Sequence, residues 1–508
     1  MTNEQAARGA KEPQASSRGR SEPSGRVIGI DVGSSSVKAL VLAGDGSVVE
    51  CVSAAHALLP TPGAVEADAN GWWEATLEAL GRLRTPLSEI AAVGLSGNMS
   101  SVVLLDGDGE PLRPAPLLAD PRGAAELAAL DPALRADLAA LSRHPVTTVS
   151  SLASLLWLRD HDAERFARAR TWVHAKDLIG LRLTGELTSD ASDAHNALVH
   201  DPLSGDWDRE LIARVGLDPA LFPPLADGGA VRGTVTAAAA RATGLPAGIP
   251  VAVGGGDMAT AALGAGAVAP GTLALSLGTS VTAIAPLATP AAFRDDWIGK
   301  LTLHPLPGGR GAFALASLLT GGLALNWLRT LVGGALELPP GDAVVPDPAD
   351  ELVFVPQLSG AGSPDFAPAL RGALLGITPH VRGERIALAL FEAIAFELRT
   401  IAELVGDDAA ARVVATGGGA NIGAWVQTLA DVLGAPVEIL ASHDVSAVGA
   451  ALLAREALGA PLPAEAVGRV AGAVAPRPAH AAAWAARRER YAAARALALA
   501  YSSSSQAP

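Results

Sequence analysis

One cysteine, Cys51, is all the thiol in this 508-residue chain. That excludes an intrachain disulfide and a thiolate zinc cluster, and it fits a reducing cytoplasm, the expected location. Excess positive charge is missing too: the formal net charge is −14. A phosphodiester backbone or an acidic membrane surface calls for a basic stripe, so neither nucleic acid nor membrane is an expected partner. A phosphorylated small molecule stays open, because backbone amides and a metal ion can neutralise it locally. The longest uncharged stretch, Met258 to Phe293, is interrupted by Gly264, Gly266, Pro270, Gly271, Gly278 and Pro286. A membrane-spanning helix needs ~20 mostly apolar residues without such punctuation, so the stretch reads as buried strands and a helix. Several catalytic signatures are also absent. There is no G-x-x-x-x-G-K-[ST], no G-x-G-x-x-G, no G-x-S-x-G and no H-E-x-x-H, which removes the main support for P-loop, dinucleotide-fold, hydrolase-elbow and zincin readings.

What remains is a chain that is 49% hydrophobic and 18% charged, a balance that suits a compact enzyme. Its length exceeds one ordinary core, so two domains are expected. Residues 1–25 and 502–508, rich in Ser, Pro, Gln and charge, read as disordered tails, and the first of them lacks the apolar core of a signal peptide.

The stretch VIGIDVGSSSVKALVLAGDGSVVE, residues 27 to 50, places Asp31 between apolar runs that read as two short strands joined by a small-residue tip. Residues 275 to 280, LSLGTS, repeat the pattern of residues 30 to 35, IDVGSS. Each is followed by a second apolar run, which suggests a duplicated domain whose halves face each other across a cleft. A Gly-Ser/Thr tip exposes successive N–H groups and hydroxyls, a concavity suited to phosphate. A bare carboxylate beside phosphate is repulsive unless a divalent cation lies between, so Asp31 is the candidate Mg²⁺ ligand.

Two further glycine clusters stand out. In IPVAVGGGDMATAALGAG, residues 249 to 266, Asp257 opens a helix, where it either caps the N-terminus or receives a proton from a ligand for which the glycines clear space. A helix N-terminus lowers a carboxylate's pKa, which makes Asp257 a weak base, tolerable for phosphoryl transfer. In RVVATGGGANIGAWVQTLAD, residues 412 to 431, Gly417, Gly418 and Gly419 precede Ala420 and Asn421. That surface either receives a purine and its ribose or only closes a tight turn.

Together these segments resemble the FGGY family of carbohydrate kinases, most closely its xylulokinase-like members. GIDVGSSSVKALV is similar to the family's first phosphate loop, with Asp31, Gly33, Ser34, Ser35 and Lys38 in place and Ser36 completing the candidate phosphate tip. VEADANGWWEAT retains Glu66, Asp68, Trp72 and Trp73. AKDLIGLRLTGELTSDASDA follows a further family motif, and LSLGTS the second phosphate loop, with Gly278, Thr279 and Ser280. The resemblance implies an actin-like, ribonuclease H-like α/β fold: a sugar-binding domain over 26–267 and an ATP-binding domain over 268–501, hinged around a deep cleft. It implies ATP and Mg²⁺ as cofactors, a sugar hydroxyl as phosphate acceptor, Asp257 as catalytic base and the 417–421 segment as the adenosine site. Asn98, Met99, Ser100, Asp120 and Arg122 are the implied sugar contacts, Asp120 and Arg122 alternatively forming a surface ion pair. A ketopentose such as D-xylulose is the expected substrate, and a homodimer is an expected assembly.

Departures cluster at the sugar end. Asn98-Met99-Ser100-Ser101 stands where the family has Q-M-H-G, Leu118 replaces an aromatic, Ser154 a lysine, and Gly360-Ala361-Gly362 a Gly-Glu-Arg. These leave another ketose, a polyol or a sugar acid open as substrate, and as a rival class a non-catalytic sugar- or nucleotide-binding protein.

Overall fold

A computed structural model describes residues 25–334, 336–406, 410–462 and 466–504. Residues 1–24 and 505–508, where tails were expected, lie outside them. The C-terminal expectation is corrected at its start: the last helix, Ala481–Ser504, runs past residue 502. The buried Ser502 hydroxyl donates to the Ala498 carbonyl and accepts from the Arg371 N–H.

Two mixed sheets of the same design organise the chain. In the first, strand Arg26–Val32 pairs antiparallel with Ser36–Leu42, which pairs antiparallel with Val48–Ala55. On its other side Arg26–Val32 runs parallel to Ile90–Gly97, which runs parallel to Pro250–Ala252, and Val231–Thr234 closes the edge antiparallel. The second sheet repeats this. Thr272–Leu277 is antiparallel to Val281–Leu287, then Ala312–Leu318 and Thr302–Pro305 follow, with Arg412–Thr416 and Val437–Leu440 parallel on the other side and Val470–Val474 at the edge. The two hairpins matched in sequence therefore occupy equivalent places, and the expected duplicated α/β architecture is present. The uncharged stretch from Met258 folds as helix and strands, and among the described residues no helix is long and apolar enough to cross a membrane.

Local sequence explains the elements. Strand Arg26–Val32 is apolar almost throughout and buried on both faces, as expected for a central strand covered by helices. Helix Ala69–Arg82 starts at Asp68, whose side chain accepts the Asn70 N–H, a cap that contributes about 1 kcal/mol. It buries Trp72, Ala75, Thr76, Ala79 and Leu80, one stripe at helical spacing. Trp72 is thus core, and Trp73 lies partly exposed under the Arg182 guanidinium.

The two halves exchange helices. Asp257–Gly264 packs against Ala274, Ile284 and Val414 of the second sheet. Val445–Ala457, from the later half, packs on Val27, Leu40, Ala92 and Ala252 of the first. Glycines allow this closeness. A methyl at Gly29 would lie 2.1 Å from the Ala447 carbonyl oxygen, and one at Gly94 1.8 Å from that of Ala450. Where the two helices cross, methyls at Gly264 and Gly449 would lie 2.0 and 1.9 Å from the Val445 and Thr260 carbonyls.

Candidate active site at the strand ends

Register brings the candidate residues to one edge of the first sheet. Asp31 pairs with Ser96, and Ser96 with Gly255, so the C-terminal ends of three parallel strands meet beside Asp257. This is the edge at which open α/β sheets bind ligands. Asp31 is buried and accepts a 2.7 Å hydrogen bond from the Ser96 hydroxyl, which also meets Thr260 Oγ1 at 2.8 Å. Burial pushes the Asp31 carboxyl up; Ser96 and Lys38 pull it partly back.

Asp257 corrects two expectations. It does not cap its helix, because Gly256 holds the cap position and Asp257 is the first helical residue. Nor is its carboxyl acidified by the helix N-terminus. Burial, then the Asp31 charge and the Asp193 charge, hold it up at about 8. Tertiary desolvation and like charge outweigh a dipole effect that is worth at most about one to two kcal/mol. The preceding glycines serve protein neighbours: methyls at Gly254 and Gly256 would lie 2.4 Å from the Leu95 carbonyl oxygen and 2.8 Å from Met99 Cγ.

The first tip, Gly33 to Ser36, is a turn in which the Gly33 N–H donates to the Ser36 carbonyl, with Ser34 and Ser35 exposed. The second is built alike: the Gly278 N–H donates to the Ser280 carbonyl, and Thr279 and Ser280 are exposed. The 417–421 turn abuts that second tip. A methyl at Gly417 would lie 2.9 Å from the Leu277 carbonyl oxygen and one at Gly419 2.8 Å from Leu277 Cβ, whereas Gly418 faces open space. Asn421 meets His443 at 3.3 Å, and Thr416 donates to the Ser442 carbonyl. The neighbouring Asp444 pairs with Lys38 at 2.7 Å. Burial opposes the Lys38 charge, but Asp444 outweighs it and holds the ammonium above its ordinary range. Lys38, on the strand that follows the first tip, is therefore connected through the 442–444 segment to the glycine turn and the second tip.

At the other side of Asp31, the Asn98 amide donates to the Val32 carbonyl at 3.0 Å, and Met99 touches Gly256. Ser100 is buried in a left-handed conformation, φ 64°, and among the described residues its hydroxyl has no partner. Asp120 and Arg122 are not a surface pair, for their side chains are 3% and 17% exposed. Arg122 donates to both Asp120 oxygens and to Glu66, and its guanidinium lies 3.9 Å from the Trp157 ring centroid. Among the described residues neither bonds to Asp257 or to a tip. Ser96, Asp444 and His56, whose ring meets the Gly33 carbonyl at 3.0 Å, escaped sequence reading. The clue for Ser96 was a lone hydroxyl directly after the apolar run 90–95.

The donor set suits a divalent cation. The Asp31 charge raises the proton affinity of Asp257, a conflict that a hard cation taking carboxylate oxygens relieves.

The chain matches the FGGY family of carbohydrate kinases, N-terminal domain, over residues 26–264, and the C-terminal domain of the same family over 273–458. It is 33% identical to a xylulose kinase of Streptomyces coelicolor, across 84% of this chain and 86% of that protein. It is 32% identical to one of Escherichia coli, across 84% and 89%. A solved xylulose kinase from Rhodospirillum rubrum superposes with a TM-score of 0.82 at 30% identity, covering 94% of this chain and 99% of that one. Plasmodium falciparum glycerol kinase with ADP, at 19% identity, shares the fold with a TM-score of 0.78.

Proposed function

The chain belongs to the FGGY family of carbohydrate kinases, and on that premise we propose that it transfers the γ-phosphate of ATP to a hydroxyl of a small sugar, a ketopentose such as D-xylulose. The observation that carries the reading is Asp257: a half-buried residue at the strand-end edge, beside Asp31, with the proton affinity of its carboxyl raised toward neutrality. A base with a pKa near the working pH combines availability with driving force. In this reading Asp257 orients the acceptor hydroxyl and takes its proton. Ser34, Ser35, Ser36, Thr279 and Ser280 with their loop amides hold the phosphates, and Lys38, fixed by Asp444, adds positive charge. The Gly417–Asn421 turn receives the adenosine, with Gly418 as its open floor. Mg²⁺, which neutralises phosphate charge when bound, would be held by Asp31. Asn98, Met99, Ser100, Asp120 and Arg122 are assigned to the sugar side, and closure of the halves excludes water from the reacting phosphate.

One observation favours a second acceptor class. The buried Ser100 hydroxyl, without a partner among the described residues, stands at the position where xylulokinase-like sequences carry histidine, so a different ketose, a polyol or a sugar acid is the alternative substrate. A panel of pentuloses, hexuloses, polyols and aldonates with MgATP, followed by ADP release, tests both. The first reading expects the highest turnover with a pentulose. Tight calorimetric binding without ADP release across the panel would instead identify a binding protein.

A further inference from the structure

The segment that carries Asp257 is three glycines long and has no side chain with which to hold itself. One side of it is fixed by strand pairing, Gly255 with Ser96 and Gly256 with Gly97. The other side is held by a residue outside the site described above. The Ser192 hydroxyl accepts the Gly256 N–H at 2.9 Å. Its own hydrogen goes to the Asp190 Oδ2 atom at 2.5 Å, because a carboxylate only accepts. The lone pair is thereby aimed at Gly256. Asp190 is held in turn, with Oδ1 2.9 Å from Lys176 Nζ and Oδ2 accepting the Ser192 N–H at 2.8 Å. Lys176 is wholly buried and also pairs with Asp177 at 2.6 Å and Asp193 at 3.1 Å. Its backbone lies against the end of the neighbouring strand, where a methyl at Gly97 would approach the Lys176 nitrogen to 3.0 Å.

We propose that Ser192 is a positioning residue for Asp257, its hydroxyl oriented by Asp190 and Lys176 and fixing the amide of the residue before the base. The proposal rests on the reading of Asp257 as base. Catalysis by a positioned base is steep in distance, a misplacement of ~1 Å costing on the order of 10²-fold. Ser192→Ala leaves the Gly256 N–H buried without its acceptor, so the segment shifts or loosens.

The control is Ser189, which is equally buried and donates to Asp177 Oδ2 at 2.7 Å in the same cluster but makes no bond to Gly256. Ser192→Ala is expected to lower kcat by about 10- to 100-fold with the KM for ATP little changed. Ser192→Thr, which keeps the hydroxyl, restores kcat, and Ser189→Ala retains it. Hydrogen exchange at the Gly256 amide, read by mass spectrometry on the 251–263 peptide, is expected to quicken in Ser192→Ala and not in Ser189→Ala. Equal losses of kcat in the two alanine variants, or unchanged Gly256 exchange in Ser192→Ala, overturns the proposal. If Asp257→Ala turns over sugar as fast as wild type, the base reading falls by itself, and the Gly256 exchange still decides whether Ser192 holds the segment.

Discussion

Gly94→Ala adds one methyl group where helix Val445–Ala457 crosses the first sheet. That methyl would lie 1.8 Å from the Ala450 carbonyl oxygen, whereas ordinary contact begins near 3.4 Å, so helix and strand must separate by about 1.6 Å. The obstacle is backbone, and no flexible side chain can swing aside. Gly29, whose methyl would approach the Ala447 carbonyl to 2.1 Å, pins the same helix one strand over. Ala447, Ala450, Ala451, Leu453 and Ala454 are buried in this contact, and gaps of 0.5–1 Å already forfeit a quarter to a half of each dispersion well. Overpacking usually costs about 1–3 kcal/mol, and an unyielding backbone places Gly94→Ala at or above the upper figure. Gly81→Ala is the contrast: exposed, inside helix Ala69–Arg82, with nothing within 4 Å, it should stabilise by about 0.5–1 kcal/mol. Urea denaturation midpoints at constant m-value measure both. Opposite signs are expected. A Gly94→Ala protein as stable as wild type would refute the claim that this helix is locked onto the first sheet by backbone contact.

Three further outcomes follow from the buried charges, the histidine rings and the 417–421 turn. Lys176→Met strands Asp177, Asp190 and Asp193 without their shared cation and should cost about 3–5 kcal/mol by chemical denaturation; a loss below 1 kcal/mol would contradict the network. Burial holds His144 and His200 down at about 4, whereas unfolded imidazole titrates near 6.5. Between these values the unfolded chain binds more protons, so their contribution to stability is full above about pH 6.5 and is lost as pH falls toward 4. His144→Asn should therefore flatten the pH dependence of the unfolding free energy between pH 6 and 5 by about 1.2 kcal/mol per pH unit, and an unchanged slope would be the contrary result. Gly418→Ala and Gly419→Ala separate the two readings of the 417–421 turn. Gly419 abuts Trp425 and Leu277 while Gly418 faces open space, so the first variant should keep its thermal midpoint and weaken ATP binding by calorimetry, and the second should lose stability.

The parts of this molecule that were legible in the sequence are those encoded within one hairpin or one turn. Asp31 with its serine tip, LSLGTS, and the two triple-glycine turns each lie within about a dozen residues, so alternation and punctuation reveal them. The duplicated topology followed because the two hairpins repeat. Partnerships across long sequence separations were not legible: Ser96 with Asp31, Lys38 with Asp444 and Ser192 with Gly256 are contacts that only the fold makes. The sign of the Asp257 shift was misread for the same reason. A helix N-terminus is visible in the sequence, but the burial and the neighbouring Asp31 and Asp193 that outweigh it are tertiary. Glycine clusters invite a ligand interpretation, yet Gly254 and Gly256 are small because Leu95 and Met99 crowd them. The sequence leaves Asp120 and Arg122 open between sugar contacts and a surface ion pair, and only the fold shows Glu66 and Trp157 closing around Arg122.

The central claim is tested most directly by phosphorus NMR of a mixture of the protein, MgATP and D-xylulose, run beside Asp257→Asn. The expected result is a sugar phosphomonoester resonance growing as the γ-phosphate of ATP disappears, with the rate lowered about 10²–10⁴-fold in the variant. Growth of that resonance at equal rates in the two proteins, or its absence with every pentulose, hexulose, polyol and aldonate tried, would contradict the account.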